Sequence, residues 1–451
     1  MKIHLIAIGG SAMHNLAIAL KSNGHIVTGS DDEIFEPSKS RLVDYKLLPS
    51  RFGWFPENIS DNIDAIILGM HARPDNPELL RAQELGLKIY SYPEFLFNHS
   101  KNKKRVVIGG SHGKTTITAM IMHVLRMLNY DFDYLVGSKI KDFDVMVRLS
   151  DAAPIMIFEG DEYLSSPIDR RPKFHWYFPD IALLSGIAWD HINVFPTYEN
   201  YLEQFEKFIS LINKNGPLIY NEDDIALKEL AIASDNIRAI PYGSLKYNIR
   251  DGINYIMTDG GEVELCIFGK HNMMNMNGAR LVCNELGISD EDFFDSISSF
   301  EGTANRLELV LRSGNSRLYK DFAHAPSKVG ATVEAVREQF PNSNFVACLE
   351  LHTFSSLNKD FIDEYKHTLN LPDYACVYFN EHTLAMKRLP ELSVDDVVRA
   401  FDRSDLKVFV DSNEMIEWLV EVKKQNSVFL MMSSGNFDGI NFNEIATALT
   451  S

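Results

Sequence analysis

One short segment constrains the fold of this chain more than any other. Gly109-Gly110-Ser111-His112-Gly113-Lys114-Thr115-Thr116 follows the apolar run Val106-Val107-Ile108. Glycines allow backbone N–H groups to turn inward towards an anion, while a lysine and a hydroxyl supply groups for phosphate and Mg²⁺. Apolar residues then recur at helical spacing from Ile117 to Leu128, which would place a helix N-terminus behind the loop. The segment therefore predicts a strand, a phosphate-binding loop and a helix.

The spacing inside this loop departs from the general phosphate-loop motif. That motif has one more residue between its two glycines than this loop has. Here only Gly110-Ser111-His112 separate Gly109 from Gly113. One alternative is a glycine turn between strand and helix that binds no ligand. The sequence Gly-Lys-Thr-Thr in this context favours a nucleotide phosphate, so we expect the loop to bind ATP.

Short apolar runs alternate with helix-period segments along the chain, which is typical of parallel α/β domains. A polar linker at 98–104 and a boundary near Gly302 predict three domains, over residues 1–102, 103–302 and 303–451. The apolar runs predict strands at 1–8, 26–28, 65–68, 105–108, 155–158, 181–184, 218–220, 318–320, 345–347, 377–379, 408–410 and 429–431.

Composition excludes several classes of partner. Acidic residues outnumber basic ones, 62 against 44, whereas a nucleic-acid binder needs a concentrated basic face. No apolar run reaches the roughly 18 residues of a membrane span, and the apolar N-terminus runs into Gly9-Gly10 rather than a cleavage site. The four cysteines form no CxxC pair, which fits a reducing compartment. We expect no nucleic-acid or membrane partner and a cytoplasmic location.

Polar groups follow two of the predicted central strands. Glu159-Gly160-Asp161-Glu162 comes after the run that ends at Phe158, and Asp190-His191 comes after the next run. Ligands in open parallel sheets bind at the carboxyl ends of strands, so these groups and Thr115 are candidates for a Mg²⁺ site. Imidazole is a less usual Mg²⁺ ligand, and His191 could instead contact substrate. The alternative for the acidic cluster is a solvated loop.

Further motifs appear in a fixed order after the phosphate loop. They are Glu159-Gly160-Asp161-Glu162, Asp190-His191, Gly269-Lys270-His271-Asn272 with Asn275, Arg306 within Gly302-Thr303-Ala304-Asn305-Arg306-Leu307-Glu308, and Asp321-Phe322-Ala323-His324-Ala325-Pro326. Together with the shortened loop they resemble the Mur ligase family, the ATP-dependent amide synthases that handle UDP-N-acetylmuramate. The resemblance covers essentially the whole chain.

The resemblance implies an α/β fold of three domains. These are a Rossmann-like first domain for UDP-N-acetylmuramate, a central P-loop ATPase-like domain with a mostly parallel sheet, and a Rossmann-like last domain for the amine substrate that closes over the nucleotide. It also implies an ADP-forming carbon–nitrogen ligase of peptidoglycan metabolism with ATP and Mg²⁺. The implied roles are catalysis by Lys114, Glu162 and His191; ATP binding by Gly110, Ser111, His112, Gly113, Lys114, Thr115, Thr116, Asn272, Asn275, Arg306 and Asp321; UDP-sugar binding by Gly10, Ser11, Ser30 and Asp31; peptide binding by His324 and His352; and metal binding by Thr115, Glu162 and His191.

Within the family, several stretches are similar to the murein peptide ligase branch. They are Asp161-Glu162-Tyr163 with Asp169, Arg171, Lys173-Phe174 and Tyr177; Asp190-His191-Ile192-Asn193-Val194-Phe195-Pro196; and Gly10-Ser11-Ala12-Met13 with Thr28-Gly29-Ser30-Asp31. That branch joins UDP-N-acetylmuramate to the tripeptide L-alanyl-γ-D-glutamyl-meso-diaminopimelate. Phe205 occupies the position where branches that load later amino acids carry a modified lysine.

Three alternatives stay open at this point. The first is a UDP-N-acetylmuramate–L-alanine ligase, because the segment 350–356 matches neither the arginine-bearing version of that branch nor the best-known tripeptide version. The second is a folylpolyglutamate-type ligase, which lacks a UDP-binding first domain, whereas this chain has about 100 residues before the loop. The third is a P-loop regulator that binds ATP without transferring an acyl group. The sequence does not specify the oligomeric state.

Overall fold

The phosphate-loop segment follows a strand that is buried except at its first residue, in a computed structural model that describes residues 1–189, 194–250, 252–304, 306–387 and 389–450. Asp190, His191 and Asn305 lie outside the described residues. Contacts divide the chain into two compact units. The first comprises Met1–Leu245 and Met274–Ile297, and the second comprises Lys246–Met273 and the chain from Ser298 onward.

The first sheet of the first unit is wholly parallel, as alternating strands and helices require. Its strand order is β2-β1-β3-β4. The strands are β1 (Lys2–Ile6), β2 (Ile26–Ser30), β3 (Ala65–Leu68) and β4 (Ile89–Ser91), and the helices are α1 (Ser11–Ser22), α2 (Ser38–Asp44), α3 (Pro77–Glu84) and α4 (Tyr92–Ser100).

The second sheet of this unit carries the phosphate loop. Its strand order is β11-β10-β9-β5-β8-β6-β7, and only the β6–β7 pair is antiparallel. The strands are β5 (Lys104–Gly109), β6 (Phe132–Leu135), β7 (Val147–Arg148), β8 (Ile155–Glu159), β9 (Ile181–Leu184), β10 (Pro217–Asn221) and β11 (Arg238–Tyr242), and the helices are α5 (Lys114–Met127), α6 (Tyr198–Ser210) and α7 (Ile225–Ile232). Strand β5 lies between β8 and β9, so the carboxyl ends of three parallel strands meet behind the loop.

The second unit begins with a small antiparallel sheet of β12 (Tyr247–Arg250), β13 (Ile253–Thr258) and β14 (Gly261–Leu265). The sequence analysis missed these strands, because their alternating burial leaves no continuous apolar run. Their turns contain Gly252 and Gly261, both at positive φ, and this turn signal could have revealed them.

The main sheet of the second unit has the order β15-β16-β20-β17-β18-β19, and only the β15–β16 pair is antiparallel. Helix α8 (Lys270–Glu285) begins in the second unit and continues into the first, which also contains α9 (Asp290–Ile297). The other elements of the second unit are β15 (Glu308–Ser313), β16 (Ser316–Asp321), α10 (Pro326–Gln339), β17 (Asn344–Glu350), β18 (Tyr374–Tyr378), α11 (Glu381–Met386), α12 (Val394–Phe401), β19 (Lys407–Phe409), α13 (Ser412–Glu421), β20 (Ser427–Met432) and α14 (Phe442–Thr450).

The predicted α/β class with mostly parallel sheets is confirmed, whereas the domain boundaries at 102 and 302 stay a prediction. Each predicted apolar run overlaps a strand. Apolar side chains of β5 and α5, such as Val107 and Leu125, are fully buried, and each contributes about 1.5–3 kcal/mol to stability. No helix in the described parts of the chain is long and apolar enough to cross a membrane.

Candidate functional site

The phosphate-loop segment forms a tight turn between β5 and α5. Gly110 and Gly113 adopt φ values of 112° and 79°, which residues with a Cβ rarely adopt. A Cβ on Gly110 would also lie 2.7 Å from the backbone nitrogen of Ser185, at the end of β9. Helix α5 starts at Lys114, directly after Gly113, so its unpaired N–H groups face the loop. The turn therefore has the geometry predicted for anion binding.

Lys114 lies against a carboxylate from the neighbouring strand end. Its Nζ donates to Glu162 Oε2 at 2.8 Å and to the Gly110 carbonyl at 2.6 Å. Burial alone would lower the pKa of Lys114, but Glu162, Asp161 and Glu159 outweigh it and raise that pKa. The ammonium therefore stays charged at neutral pH. Because Glu162 is 1% exposed, this is a buried ion pair that holds the lysine at the loop.

Thr115 meets a different carboxylate. Its hydroxyl donates to Glu159 Oε1 at 2.7 Å, and the Gly137 N–H donates to the other oxygen at 2.8 Å. Burial raises the pKa of Glu159. The sequence-based assignment of Glu162 and Thr115 to the metal stays a prediction. In the structure Glu162 bonds Lys114, and Glu159, the last residue of β8, bonds the Thr115 hydroxyl.

Tyr201 on α6 connects the loop to Glu162. Its hydroxyl lies 3.3 Å from Glu162 Oε1 and 3.3 Å from Ser111 Oγ. Ser111 also donates through Oγ to the Ala188 carbonyl at 2.7 Å, and through its backbone N–H to the Gly186 carbonyl. These bonds fix the loop against the segment after β9. The predicted Asp190-His191 pair follows that segment but lies outside the described residues.

Two other predicted nucleotide residues lie around the loop. The Ser185 hydroxyl donates to the His112 carbonyl, so this part of the loop is held by the end of β9. A Cβ on Gly113 would collide with the side-chain carboxamide of Asn275 on α8. Asn275 therefore packs directly on the loop, and only glycine fits at 113. Thr116 lies in the first turn of α5 and is buried.

The segment after β8 folds into its own polar network. A bridge pairs Leu164 with Pro172, and Lys173 Nζ donates to Asp161 Oδ2 at 2.6 Å. Asp169 accepts from Arg171 Nε at 2.9 Å and from the Trp176 indole at 2.8 Å. The residues that resemble the murein peptide ligase branch thus order one loop beside the phosphate-binding turn.

On the first sheet, Asp31 supports the turn after β1. Its Oδ2 accepts from the Gly9 N–H at 2.7 Å and its Oδ1 accepts from the Asp32 N–H at 3.0 Å. Burial raises the pKa of Asp31 to about 6. Gly10 precedes α1 and Ser11 is its first residue. The predicted Gly10, Ser11 and Asp31 therefore lie at the adjacent carboxyl ends of β1 and β2, next to a helix N-terminus.

Ser30 points elsewhere, because consecutive strand residues face opposite sides of a sheet. Its hydroxyl donates to the buried Glu78 carboxylate, which also accepts from Phe55 N–H at 2.9 Å and lies 3.4 Å from His4 Nε2. A cavity of about 310 Å³ borders this side of β2 and includes Ser30 in its lining. Gly10, Ser11 and Asp31 are not among the lining residues, so the cavity is separate from their strand end.

In the second unit, Asp321 ends β16 and fixes the chain around it. Its carboxylate accepts from the N–H groups of Leu307 and Ala323, each at 2.6 Å. Burial raises the pKa of Asp321, and the nearby Arg306 opposes that rise. The Arg306 guanidinium lies 4.9 Å from the centre of the Phe322 ring. The predicted Arg306 and Asp321 are therefore neighbours.

Two predicted residues of the second unit each bond a nearby backbone carbonyl. Asn272 donates to the Phe268 carbonyl at 2.8 Å within the start of α8. His324 Nδ1 bonds the Phe322 carbonyl at 2.7 Å, which requires a hydrogen on Nδ1. Beside Asn272, burial and the charge of Arg306 lower the pKa of His271 to about 4, so this imidazole is neutral.

His352 follows the end of β17 and lies beside Glu350. Its Nδ1 is 3.5 Å from Glu350 Oε1. Among the residues of these sites, Glu159, Tyr201 and Glu350 were not assigned roles from the sequence. Glu159 belonged to a motif already recognised, and its position directly at the strand end was the available signal. Nothing in the local sequence marks Tyr201 or Glu350, because their partners come from distant segments.

Comparisons with known proteins agree with this geometry. Residues 108–283 match the Mur ligase middle domain, and residues 2–104 match the Mur ligase family catalytic domain. The chain is 31% identical over 367 residues to a UDP-N-acetylmuramate–L-alanine ligase of Clostridium botulinum, covering 78% of this chain and 77% of the relative.

Two solved structures share the fold. One is the UDP-N-acetylmuramate–alanine ligase of Thermotoga maritima, with a TM-score of 0.70, 21% identity and coverage of 97% and 96% of the two chains. The other is a murein peptide ligase of Psychrobacter arcticus, with a TM-score of 0.65, 21% identity and coverage of 100% and 99%.

The fold, the phosphate-binding turn and these matches define an ATP-dependent, ADP-forming carbon–nitrogen ligase. Within that class, the chain belongs to the Mur ligase family. The names of its relatives differ in the amine that is added.

Proposed function

We propose that this enzyme joins the carboxylate of UDP-N-acetylmuramate to the amine of L-alanyl-γ-D-glutamyl-meso-diaminopimelate through an acyl phosphate. One observation carries the chemical part of this proposal. Lys114 and Thr115, adjacent in the phosphate loop, each contact a different strand-end carboxylate, at 2.8 and 2.7 Å. A site of this kind neutralises and positions phosphate groups, which is most of what phosphoryl transfer requires.

The site also suits Mg²⁺. This ion prefers oxygen ligands and usually shares them with water and substrate phosphates. The Glu159 carboxylate and the Thr115 hydroxyl offer two oxygens at the phosphate turn. No cluster of three or more His, Cys, Asp or Glu ligands occurs in the described ranges, so the nucleotide itself would complete the coordination. When bound, Mg²⁺ would neutralise charge on the phosphates, and His191 stays a candidate contact.

In the first step, the lactyl carboxylate attacks the γ-phosphorus of ATP, the bond to the β-phosphate oxygen breaks, and ADP leaves. Lys114 stabilises the charge on the transferring group. Glu162 and Tyr201 act as positioning residues, because they hold Lys114 and the loop through the bonds described above. Ser111, His112, Gly113 and Thr116 supply the loop backbone, and Asn272 and Asn275 would orient the adenine.

In the second step, the amine attacks the acyl carbon and phosphate leaves through a tetrahedral intermediate. The proton that the amine loses is taken up by the departing phosphate, so that hydrogen phosphate and the amide are the products. We assign Arg306 and Asp321 to the nucleotide and His324 and His352 to the peptide. This assignment requires the domains to close around the substrates, as in other enzymes that exclude water from a reactive intermediate.

The UDP part would bind at the strand end that contains Gly10, Ser11 and Asp31. The N-terminus of α1 favours a diphosphate there. The Ser30 hydroxyl already bonds Glu78, so Ser30 would contribute through its backbone rather than its side chain. ATP and a UDP-sugar as substrates support a cytoplasmic location and a role in peptidoglycan recycling.

A second candidate is the L-alanine ligase of peptidoglycan synthesis. The name of the relative that is 31% identical favours it. The ordered loop from Asp161 to Lys173, with the residues that resemble the murein peptide ligase branch, favours the tripeptide.

The two candidates are separated by following ADP release and product mass with UDP-N-acetylmuramate and either amine. We expect turnover with the tripeptide and little with L-alanine. Turnover with L-alanine alone would replace our proposal by the second candidate. No ADP release with either amine would remove both and favour a P-loop regulator.

A further inference from the structure

A buried carboxylate lies at the end of β17 in the second unit. Glu350 is 3% exposed. Its Oε2 accepts from the Ser433 hydroxyl and from the Phe437 N–H, the latter at 2.8 Å. Both donors belong to the segment after β20, the strand next to β17. One oxygen of this carboxylate is therefore held firmly between two strand ends.

The other oxygen has no such support. Within the described ranges, Glu350 Oε1 accepts no hydrogen bond, and the cation-capable group near it is His352 Nδ1 at 3.5 Å, beyond good hydrogen-bond geometry. His352 is 37% exposed, so the pair lies at the surface of the strand ends. A buried carboxylate favours a nearby cation, because burial penalises an unpaired charge.

The loop after β20 is shaped around this pair. A Cβ on Gly435 would lie 2.7 Å from the His352 ring and 2.9 Å from Glu350 Oε2, so only glycine fits without moving them. The hydroxyl of Ser434 is buried and has no hydrogen-bond partner among the described residues. This hydroxyl is a second polar group at the same loop whose bonding a ligand could complete.

The surrounding charge is negative. Burial first, and then Asp438, Glu350 and Asp411, raise the pKa of Tyr378 on β18, next to β17. Glu350 ends β17, whereas Asp438 and Asp411 come from the segments that follow β20 and β19. The carboxyl ends of these strands therefore attract a cation rather than a carboxylate.

We propose that Glu350, with His352 and the Ser433-Ser434-Gly435 turn, binds the second ammonium group of a diamino-acid residue in the peptide substrate. The inference rests on the proposed ligase function. An ion pair with a buried carboxylate keeps an amine protonated and hence not nucleophilic. The site therefore suits an ammonium that does not react, and L-alanine has no such group.

The test compares two tripeptides that differ in one functional group. One is L-alanyl-γ-D-glutamyl-L-lysine, and the other has norleucine in place of lysine, so that the side-chain ammonium becomes a methyl group. We expect kcat/KM to favour the lysine peptide by about tenfold or more, as a charged hydrogen bond of about 1.5–3 kcal/mol implies. In Glu350→Gln this preference falls to within about twofold, because the amide does not attract the ammonium.

The ratio of the two peptides does not depend on how much enzyme is folded, since both are measured on the same sample. Gly435→Ala moves His352 and Glu350 without changing charge, and the preference should shrink there too. The exposed Glu338→Gln, whose partner is the Tyr247 hydroxyl, is the matched control and should keep the wild-type ratio.

Equal kcat/KM for the two peptides in the wild-type enzyme would overturn this inference and leave the ligase function standing. An unchanged preference in Glu350→Gln would also overturn it. Failure of the meso-diaminopimelate tripeptide itself to support ADP release would instead contradict the proposed function.

Discussion

Two strand ends of this enzyme each contain a buried carboxylate, but the cation that lies beside the carboxylate differs between them. At the central sheet, the buried Glu162 has a cation from its own chain, Lys114, at 2.8 Å. At the last sheet, the buried Glu350 has, among the described residues, His352 as its ion-pair partner at 3.5 Å, and it lies among other carboxylates. The first arrangement keeps a charged lysine and a helix N-terminus available to an anion. The second leaves negative charge that a cationic substrate can neutralise.

Of the changes considered, removing Lys114 should have the largest effect on catalysis and on stability. In Lys114→Ala, the phosphate turn loses its positive side chain and Glu162 becomes a buried charge without it. We expect kcat to fall by about 10³-fold, and the free energy of unfolding to fall by about 3 kcal/mol. ADP release and urea denaturation measure the two effects separately.

The matched control is Lys104→Ala, which removes an exposed lysine from the start of the same strand. It should leave both quantities close to wild type. Product formation that persists in Lys114→Ala at the wild-type rate would mean that the phosphate turn does not activate the carboxylate.

The contrast also shows what could be predicted from sequence. The loop Gly109–Thr116, its strand and its helix were predictable, because glycine conformation, helix dipole and phosphate chemistry act over a few adjacent residues. The opposite directions of Ser30 and Asp31 follow from strand periodicity but depend on where β2 ends. A residue such as Ser30 can be assigned to a site only when that end is known.

Partners from distant segments were not predictable in the same way. The contact of Glu162 with Tyr201, and of Glu350 with Ser433, depends on sheet order, which apolar runs do not encode. The contact of Thr115 with Glu159 has the same origin. Glu159 and Glu162 lie in one motif, and only the register of β5 against β8 decides which of them meets Thr115.

Removing the charge of Glu159 or of Glu162 should have the next largest effect at the central sheet. We expect Glu159→Gln to lower kcat/KM for ATP by about 10²-fold and to raise the Mg²⁺ concentration needed for half-maximal rate, because a metal ligand loses its charge. Glu162→Gln should affect Mg²⁺ dependence less, since that residue holds Lys114. A Mg²⁺ titration of both variants checks this. A larger shift in Glu162→Gln would contradict this expectation and support the metal assignment to Glu162 that was made from the sequence.

Asp31 offers a third and smaller comparison. Asp31 is buried, as Glu350 is. The hydrogen bonds that the Asp31 carboxylate accepts come from backbone N–H groups. Its pKa of about 6 in the folded protein lies above the ordinary value of an aspartate, so the folded state holds this proton more tightly than the unfolded state does. The raised pKa contributes about 1–3 kcal/mol to the free energy of unfolding. This contribution is present below about pH 4 and is lost as the pH rises towards 6.

Asp31→Asn should remove this pH dependence. We expect the variant to be more stable than wild type at pH 7 by about 1 kcal/mol, less the loss from its weaker hydrogen bond to Gly9. Denaturation curves between pH 4 and 8 on both proteins measure the difference. Parallel curves across that range would show that Asp31 is ionised throughout, as an ordinary surface carboxylate is.

The central claim is that the phosphate turn of Lys114 activates a carboxylate, and the fate of that carboxylate's oxygen tests it most directly. UDP-N-acetylmuramate labelled with ¹⁸O in its lactyl carboxylate is converted with the tripeptide and ATP, and the released phosphate is analysed by mass spectrometry. The acyl-phosphate route transfers one labelled oxygen to phosphate for each amide bond formed. Released phosphate without ¹⁸O, alongside normal product, would contradict the account.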